Sequence, residues 1–329
     1  GQLQLGDLDA VVFYDKPVLK FSRALETFLA VAPRGWMTFL RALPSWFAEK
    51  LNLRKTIAGE LALPKHVPIL FTGHHQSHAA SAFYPSPFHE AAILTVDGVG
   101  EYSTTTIGTG EGRDLKILKE LNFPHSLGLL YSAFTAYCGF RINSGEYKLM
   151  GLAPYGEPTH EKVIRDNLID LKPDGSFHLN MEYFEFLHGT RMANDRFERL
   201  FGGPARSLEG PVEERFFNVA RSIQAVTEEV MLRLARHARD VTGRKNLCLA
   251  GGVALNCVAN GRILREKIFD RIWIQPAAGD AGGALGAALA VWHGKNESSI
   301  PREKRGDAMK GSLLGPEFSN AEIEHVLRN

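Results

Sequence analysis

The chain has 329 residues, 44% of them hydrophobic, which is enough for one large or two ordinary α/β domains. Lys and Arg total 38 against 37 for Asp and Glu, so no broad basic field exists and nucleic acid is not expected as a partner. Cys138, Cys248 and Cys257 are too few for a disulfide framework and suit a reducing, cytoplasmic compartment. No signal peptide or membrane-spanning apolar run is visible.

In chain order, Leu8 to Tyr14 reads as a strand and Phe21 to Leu29 as helical, followed by an aromatic-rich stretch from Trp36 to Leu51. An apolar run from Val67 to Phe71 leads into Gly73-His74-His75-Gln76-Ser77-His78, which opens a helix. His74 and His78, four apart, lie one turn apart on one face, a geometry that a divalent metal accepts. The same residues also suit partly buried, hydrogen-bonded histidines. A zinc protease of the His-Glu-x-x-His type is excluded, since His75, Gln76 and Ser77 supply no carboxylate between the pair.

Ala91 to Val96 is a second strand, ending in Asp97-Gly98-Val99-Gly100-Glu101 before a third from Ser103 to Ile107. A further strand near Leu115 to Leu121 and a helix from Ser126 to Cys138 follow, and Glu146 and Lys148 fall in a glycine-bounded loop. A polar and aromatic insertion spans about Pro154 to Gly210, with Tyr183, Phe184, Phe186, His188 and Arg191 able to form either a specificity region or a satellite core. The helix expected over Pro211 to Val241 places Phe216, Val219, Ile223, Val226, Val230 and Leu234 at spacings of three and four, with Pro211 in its first turn.

Leu247 to Ala250 reads as a buried strand leading through Gly251-Gly252-Val253-Ala254-Leu255-Asn256 into a helix. Arg271 to Gln275 repeats the pattern through Gly279-Asp280-Ala281-Gly282-Gly283 into the small-residue helix Ala284 to Trp292. Glycine at such turns lets backbone N–H groups approach a ligand, though Gly-Gly at a tight corner also serves packing. Neither turn has the dinucleotide or Walker spacing, which disfavours a dehydrogenase or a P-loop ATPase. Asp97 and Asp280 are both expected at strand carboxyl ends, where open α/β sheets gather ligands. Two neutral imidazoles and two carboxylates would balance a divalent cation, although each aspartate alone also reads as a turn or cap residue. Lys295 to Gly311 resembles a linker, and Ser319 with Glu322 offers a capping box to a last helix.

Together, the segments Gly73 to Phe83, Thr95 to Glu101, Gly145 to Gly156, Gly251 to Asn256 and Gly279 to Gly282 resemble the O-carbamoyltransferases of nodulation-factor and antibiotic biosynthesis. The resemblance runs in order from His74 to about Leu289. It implies an α/β fold of the actin and sugar-kinase type, with ribonuclease-H-like halves, similar to the tRNA threonylcarbamoyl-adenosine synthase. On that reading residues 1–90 end a first, incomplete half, 91–295 form the second, and 296–329 lead toward a YrdC-like domain. It further implies a divalent metal, Fe(II), held by His74, His78, Asp97 and Asp280. ATP and carbamoyl phosphate would yield a carbamoyl-adenylate, whose carbamoyl group passes to a hydroxyl of a small-molecule acceptor.

Within that scheme Gly251, Gly252, Asn256, Gly279 and Gly282 line the adenylate site. His75 or Glu101 would serve as base, and Lys148 would contact a phosphate or carbamoyl oxygen. The family also has a strand hairpin ahead of Leu8 and a YrdC-like domain beyond Asn329, so the chain reads as a piece of a larger enzyme, inactive alone. An unpaired edge at Leu8 to Tyr14 would then invite self-association. A same-fold ATPase or kinase, a tRNA-directed transferase and an inactive nucleotide-binding fragment are the alternatives.

Overall fold

The apolar run of residues 91–96 has no polar alternation, which suits a strand covered on both faces. In the computed structural model, which describes residues 4–295 and 306–328, that strand is the middle of a five-stranded mixed sheet. Ahead of it come β1 (Val11–Phe13), α1 (Pro17–Val31), α2 (Trp36–Ser45), α3 (Leu53–Glu60), β2 (Ile69–Phe71) and α4 (His74–Phe83). β1 and β2 form a small parallel sheet of their own, with Val11 opposite Ile69.

The main sheet begins with β3 (Glu90–Val96), β4 (Ser103–Glu111) and β5 (Asp114–Asn122), an antiparallel meander. Next are α5 (Leu127–Tyr137), α6 (Glu146–Leu152), α7 (Glu161–Asn167), the hairpin β6 (Ile169–Leu171) with β7 (Phe177–Leu179), and α8 (Asp195–Leu200). The long α9 (Glu214–Thr242) precedes β8 (Asn246–Ala250), α10 (Cys257–Arg265), β9 (Arg271–Ile274), α11 (Asp280–Lys295) and α12 (Asn320–Arg328). β8 and β9 run parallel to β3, giving the order β5-β4-β3-β8-β9.

The period of two along β3 divides the core. Ala92, Leu94 and Val96 face a large cluster that includes Phe134 of α5 and Phe216, Ile223, Val226 and Val230 of α9. Ala91 and Ile93 face the other way, onto Ala79, Ala82 and Phe83 of α4. Each fully buried Leu, Ile or Phe removed from water in this way contributes about 1.5–3 kcal/mol before entropy is counted. α4, assigned by sequence to the first half, thus packs on the main sheet. It also lies so close to α11 that a Cβ at Gly286 would stand 1.8 Å from the Ser77 carbonyl oxygen.

Three sequence expectations change. Glu146 and Lys148 lie in the helix α6 rather than a loop: the intervening Glu, Lys, Leu and Met are good helix formers, and Glu146 suits a first turn. α9 starts at Glu214, because Glu213 is still extended (φ −87°, ψ 157°), leaving Pro211 outside the helix. The insertion is not peripheral, since Phe177, Phe184, Phe197 and Phe201 are buried in the main core and Tyr183 and Phe186 pack against it.

The Ser319–Glu322 capping box forms reciprocally at the start of α12, while residues 296–305 of the expected linker lie outside the described residues. Among the described residues no helix is long and apolar enough to cross a membrane.

Candidate metal centre

α4 starts directly after β2, with Gly73 extended as its cap, and this projects His74 and His78 from one face. Their Nε2 atoms are 3.1 Å apart. Asp97 follows the last residue of β3, and its Oδ2 lies 2.9 Å from His74 Nε2 and 3.2 Å from His78 Nε2. Asp280, at the first turn of α11, places Oδ1 at 3.6 and 3.5 Å from the same two nitrogens. It is brought there by the close α4–α11 packing at Gly286 and not by a strand end, since β9 stops at Ile274.

One ligand atom from each of the four residues lies within 4.8 Å of every other. Donors bonded to one metal at roughly 2.1 Å sit about 3.0 Å apart in cis octahedral and about 3.4 Å apart in tetrahedral geometry. The observed 2.9–3.6 Å contacts bracket both values. An imidazole and carboxylate set of this kind fits first-row divalent ions, iron(II) among them.

The ring of His74 is held from behind. Its Nδ1 lies 2.8 Å from Asp15 Oδ1, and Asp15 in turn binds Lys20 Nζ at 2.7 Å. That contact assigns the proton to Nδ1 and turns Nε2 toward the cluster, as carboxylate partners of metal-bound histidines do. The other side of the cluster is organised by backbone: Gly252 N–H donates to Asp97 Oδ1 at 3.0 Å, and Ser126 Oγ donates to the Asp97 carbonyl at 3.0 Å.

Burial works against charged imidazoles here, but hydrogen bonds to Asp15 and Asp97 outweigh it at His74, whose pKa rises to about 9. His78 is likewise raised, burial being overcome by Asp280 and Asp97. Burial would raise Asp97, yet its bonds to His74 and His78 hold it well below the usual carboxylate range. Protons and a cation therefore compete for the same two Nε2 atoms.

Asp97 and Asp280 open onto a cavity of about 710 Å³, whose walls include Ser132, Glu146, Tyr147, Gly252, Asn256 and Gly279. Of the residues expected from sequence, His74, His78, Asp97 and Asp280 converge, and Gly252, Asn256 and Gly279 share the cavity with Asp97 and Asp280. Asn256 is already committed: it exchanges two amide hydrogen bonds with Gln224 and caps α10 at Ala259 N–H.

Gly251 (φ +91°) is required by fold geometry, because a Cβ there would stand 2.3 Å from the Val96 carbonyl oxygen. Gly282 is closed off in the same way by the Ala277 carbonyl at 2.2 Å. Neither lines the cavity.

Three further candidates from the sequence have partners of their own. His75 is buried against the sheet with Nδ1 2.6 Å from Thr95 Oγ1, and burial followed by the neighbouring His74 and His78 pushes its pKa down to about 3. Glu101 accepts the His74 and Lys16 backbone N–H groups and so anchors the start of α4. Lys148 pairs with Glu209 at 2.7 Å on the surface. None of the three is among the residues that line the cavity.

Sequence reasoning missed Asp15 and Glu146's place in the wall. Asp15 carried a usable signal, an aspartate just past a strand, the same signal that marked Asp97.

A family model described as "Carbamoyltransferase N-terminus" matches residues 1–289. An uncharacterized protein of Synechocystis sp., sll1178, is 56% identical over 99% of this chain and 54% of its own length. The nodulation protein NolNO of Sinorhizobium fredii is 34% identical over 95% of this chain and 43% of its own length. The nodulation protein NolO of Bradyrhizobium diazoefficiens is 35% identical over 74% of this chain and 42% of its own. The chain thus spans about half the length of the curated relatives it matches.

Proposed function

The chain belongs to the carbamoyltransferase family, and on that premise we propose that it carries the transfer site of an O-carbamoyltransferase. In this reading the whole enzyme makes a carbamoyl-adenylate from carbamoyl phosphate and ATP, and this part passes the carbamoyl group to a hydroxyl of a sugar or natural-product acceptor. The observation that carries the proposal is the convergence of His74, His78, Asp97 and Asp280, with the two aspartates lining a cavity large enough for a small ligand. The fold reading is supported by the strand order, an antiparallel meander β5-β4-β3 extended by parallel β8 and β9, which is the form of a ribonuclease-H-like half in actin and sugar-kinase-type proteins.

When bound by the four residues, iron(II) or a similar cation supplies Lewis acidity toward a carbamoyl or phosphate oxygen. The remaining work falls to the chain. Asp15 and Gly252 N–H fix the orientations of His74 and Asp97, so the ligand set needs little rearrangement. Among the carboxylates that line the cavity, Glu146 alone is not assigned to the cation. It is held by Ser132 Oγ at 2.8 Å and by Asn143 N–H at 2.9 Å.

In our reading Glu146 accepts the proton of the acceptor hydroxyl as the oxygen attacks the carbonyl carbon. The new C–O bond forms, the bond from that carbon to the adenylate oxygen breaks, and AMP leaves.

The test is calorimetric titration of the purified chain with a non-hydrolysable carbamoyl-adenylate analogue, with and without Fe(II). Binding that depends on the cation and is lost in His78→Ala supports the reading. Equal binding in the presence and absence of cation, unchanged by His78→Ala, contradicts it.

A further inference from the structure

A second cavity, of about 370 Å³, lies beside the C-terminal half of α5 and shares no lining residue with the metal-bearing one. Its walls are largely apolar, yet three arginines reach it, Arg141, Arg191 and Arg206, together with one carboxylate, Glu198. Arg191 is neutralised by Asp195 at 2.9 Å, Glu185 at 3.3 Å and Glu198 at 3.7 Å. Arg206 is different. It is 8% exposed, its Nη2 donates to the Gly139 carbonyl at 3.3 Å, and its Nε has no hydrogen-bond partner.

No carboxylate pairs with Arg206 or with exposed Arg141 among the described residues. The Phe140 ring lies 4.5 Å from the Arg206 guanidinium, which orients it without cancelling its charge.

The placement is built into the backbone. Gly139 is left-handed (φ +73°), and a Cβ there would stand 2.6 Å from Arg206 Nε. Arg206 N–H also donates to the Tyr137 carbonyl at 3.0 Å, and Glu209 N–H to the Gly139 carbonyl at 2.9 Å, so the two segments are strapped together. A guanidinium that is buried without a counter-ion is costly unless an anion completes it.

We propose that this cavity binds the oxyanion of a small ligand, a phosphate or carboxylate carried on a compact apolar body. Arg206 would hold the anion from inside and Arg141 from the mouth. The apolar body would rest on Ala133, Ala136 and Met192. The Arg206 N–H groups not spent on the Gly139 carbonyl suit either oxyanion. The proposal stands apart from the carbamoyl-transfer reading, because it uses none of its residues.

The test is isothermal titration of the full chain with phenyl phosphate, benzoate and neutral benzamide. We expect saturable binding of at least one anion at one site per chain and none of benzamide; the tighter anion assigns the ligand class. Arg141→Gln, at an exposed position, should weaken the anion about fivefold or more. Arg206→Met, checked for folding by circular dichroism, should abolish it. Binding should persist in His78→Ala, which separates this cavity from the metal centre.

No saturable anion binding at roughly 5 mM, far above useful affinity, would overturn the proposal. So would benzamide binding as well as benzoate, an anion affinity unchanged by Arg141→Gln, or loss of binding in His78→Ala.

Discussion

Asp15 Oδ1 accepts the Nδ1 proton of His74 across 2.8 Å, although the two residues are 59 positions apart and Asp15 lies in the bend between β1 and α1. This contact couples the small β1–β2 sheet to the candidate metal centre. It leaves His74 Nε2 as the nitrogen facing Asp97 and His78. Replacing Asp15 with Asn should therefore weaken metal affinity by about 10–100-fold while leaving the four ligands intact. Competition titration with a chromogenic chelator measures it, and an unchanged affinity would remove Asp15 from the account.

The titration of the centre has a definite sign. Without a cation, the His74 pKa of about 9 exceeds the ordinary value of 6.5. The proton contributes stability in full below pH 6.5, and that contribution is lost as pH rises through 9, on the order of 3 kcal/mol at most for this group. Asp97, held low, contributes above its ordinary value of 3.8 and loses that contribution on acidification. The chelator-treated chain should thus melt at lower temperature at pH 9 than at pH 6.5. Metal affinity should move the opposite way, rising with pH as protons leave the Nε2 atoms. Thermal melts across this range with and without Fe(II) give both slopes.

Gly286 sets the distance between α11 and α4, and with it the reach of Asp280. Gly286→Ala must displace one helix, because its Cβ would meet the Ser77 carbonyl at 1.8 Å. A loss of about 1–3 kcal/mol in stability is expected from overpacking at this contact, together with weaker metal binding. Denaturant melts and metal titration of the same variant check the pair of effects. By contrast Gly252→Leu perturbs Asp97 as well as the cavity, since a Cβ there would lie 2.9 Å from Asp97 Oδ1.

Glu146→Gln in the full-length enzyme should lower carbamoyl transfer by about 10²–10⁴-fold, the usual worth of a positioned base. Metal content should not change, because Glu146 is outside the ligand set. Single-turnover transfer to a hydroxyl acceptor is the measurement, and a rate within a factor of about three of the parent would exclude the role.

Much of this architecture was readable because its signals are local. The continuous apolar run of β3, the three and four spacing of α9 and the i, i+4 histidines of α4 each declare themselves within a dozen residues. The four residues that converge, His74, His78, Asp97 and Asp280, were legible as histidines on a helix and aspartates at turns. Residues whose roles depend on distant partners were not. Glu101 sits next to the Asp97 turn in sequence but spends its carboxylate on the start of α4. Asn256 looked free for a ligand until Gln224, 32 residues away, paired with its amide. Arg206 was indistinguishable from any surface arginine, since its burial depends on Gly139 and Phe140, more than 60 positions upstream.

In the reading proposed above, His74, His78, Asp97 and Asp280 form one metal site. Its most direct test is anaerobic titration of the purified chain with Fe(II), followed by desalting and elemental analysis, in parallel with His74→Ala/His78→Ala. One iron per chain is expected in the parent protein and none in the double variant. Equal iron retention by the two proteins, or none by the parent, would contradict it.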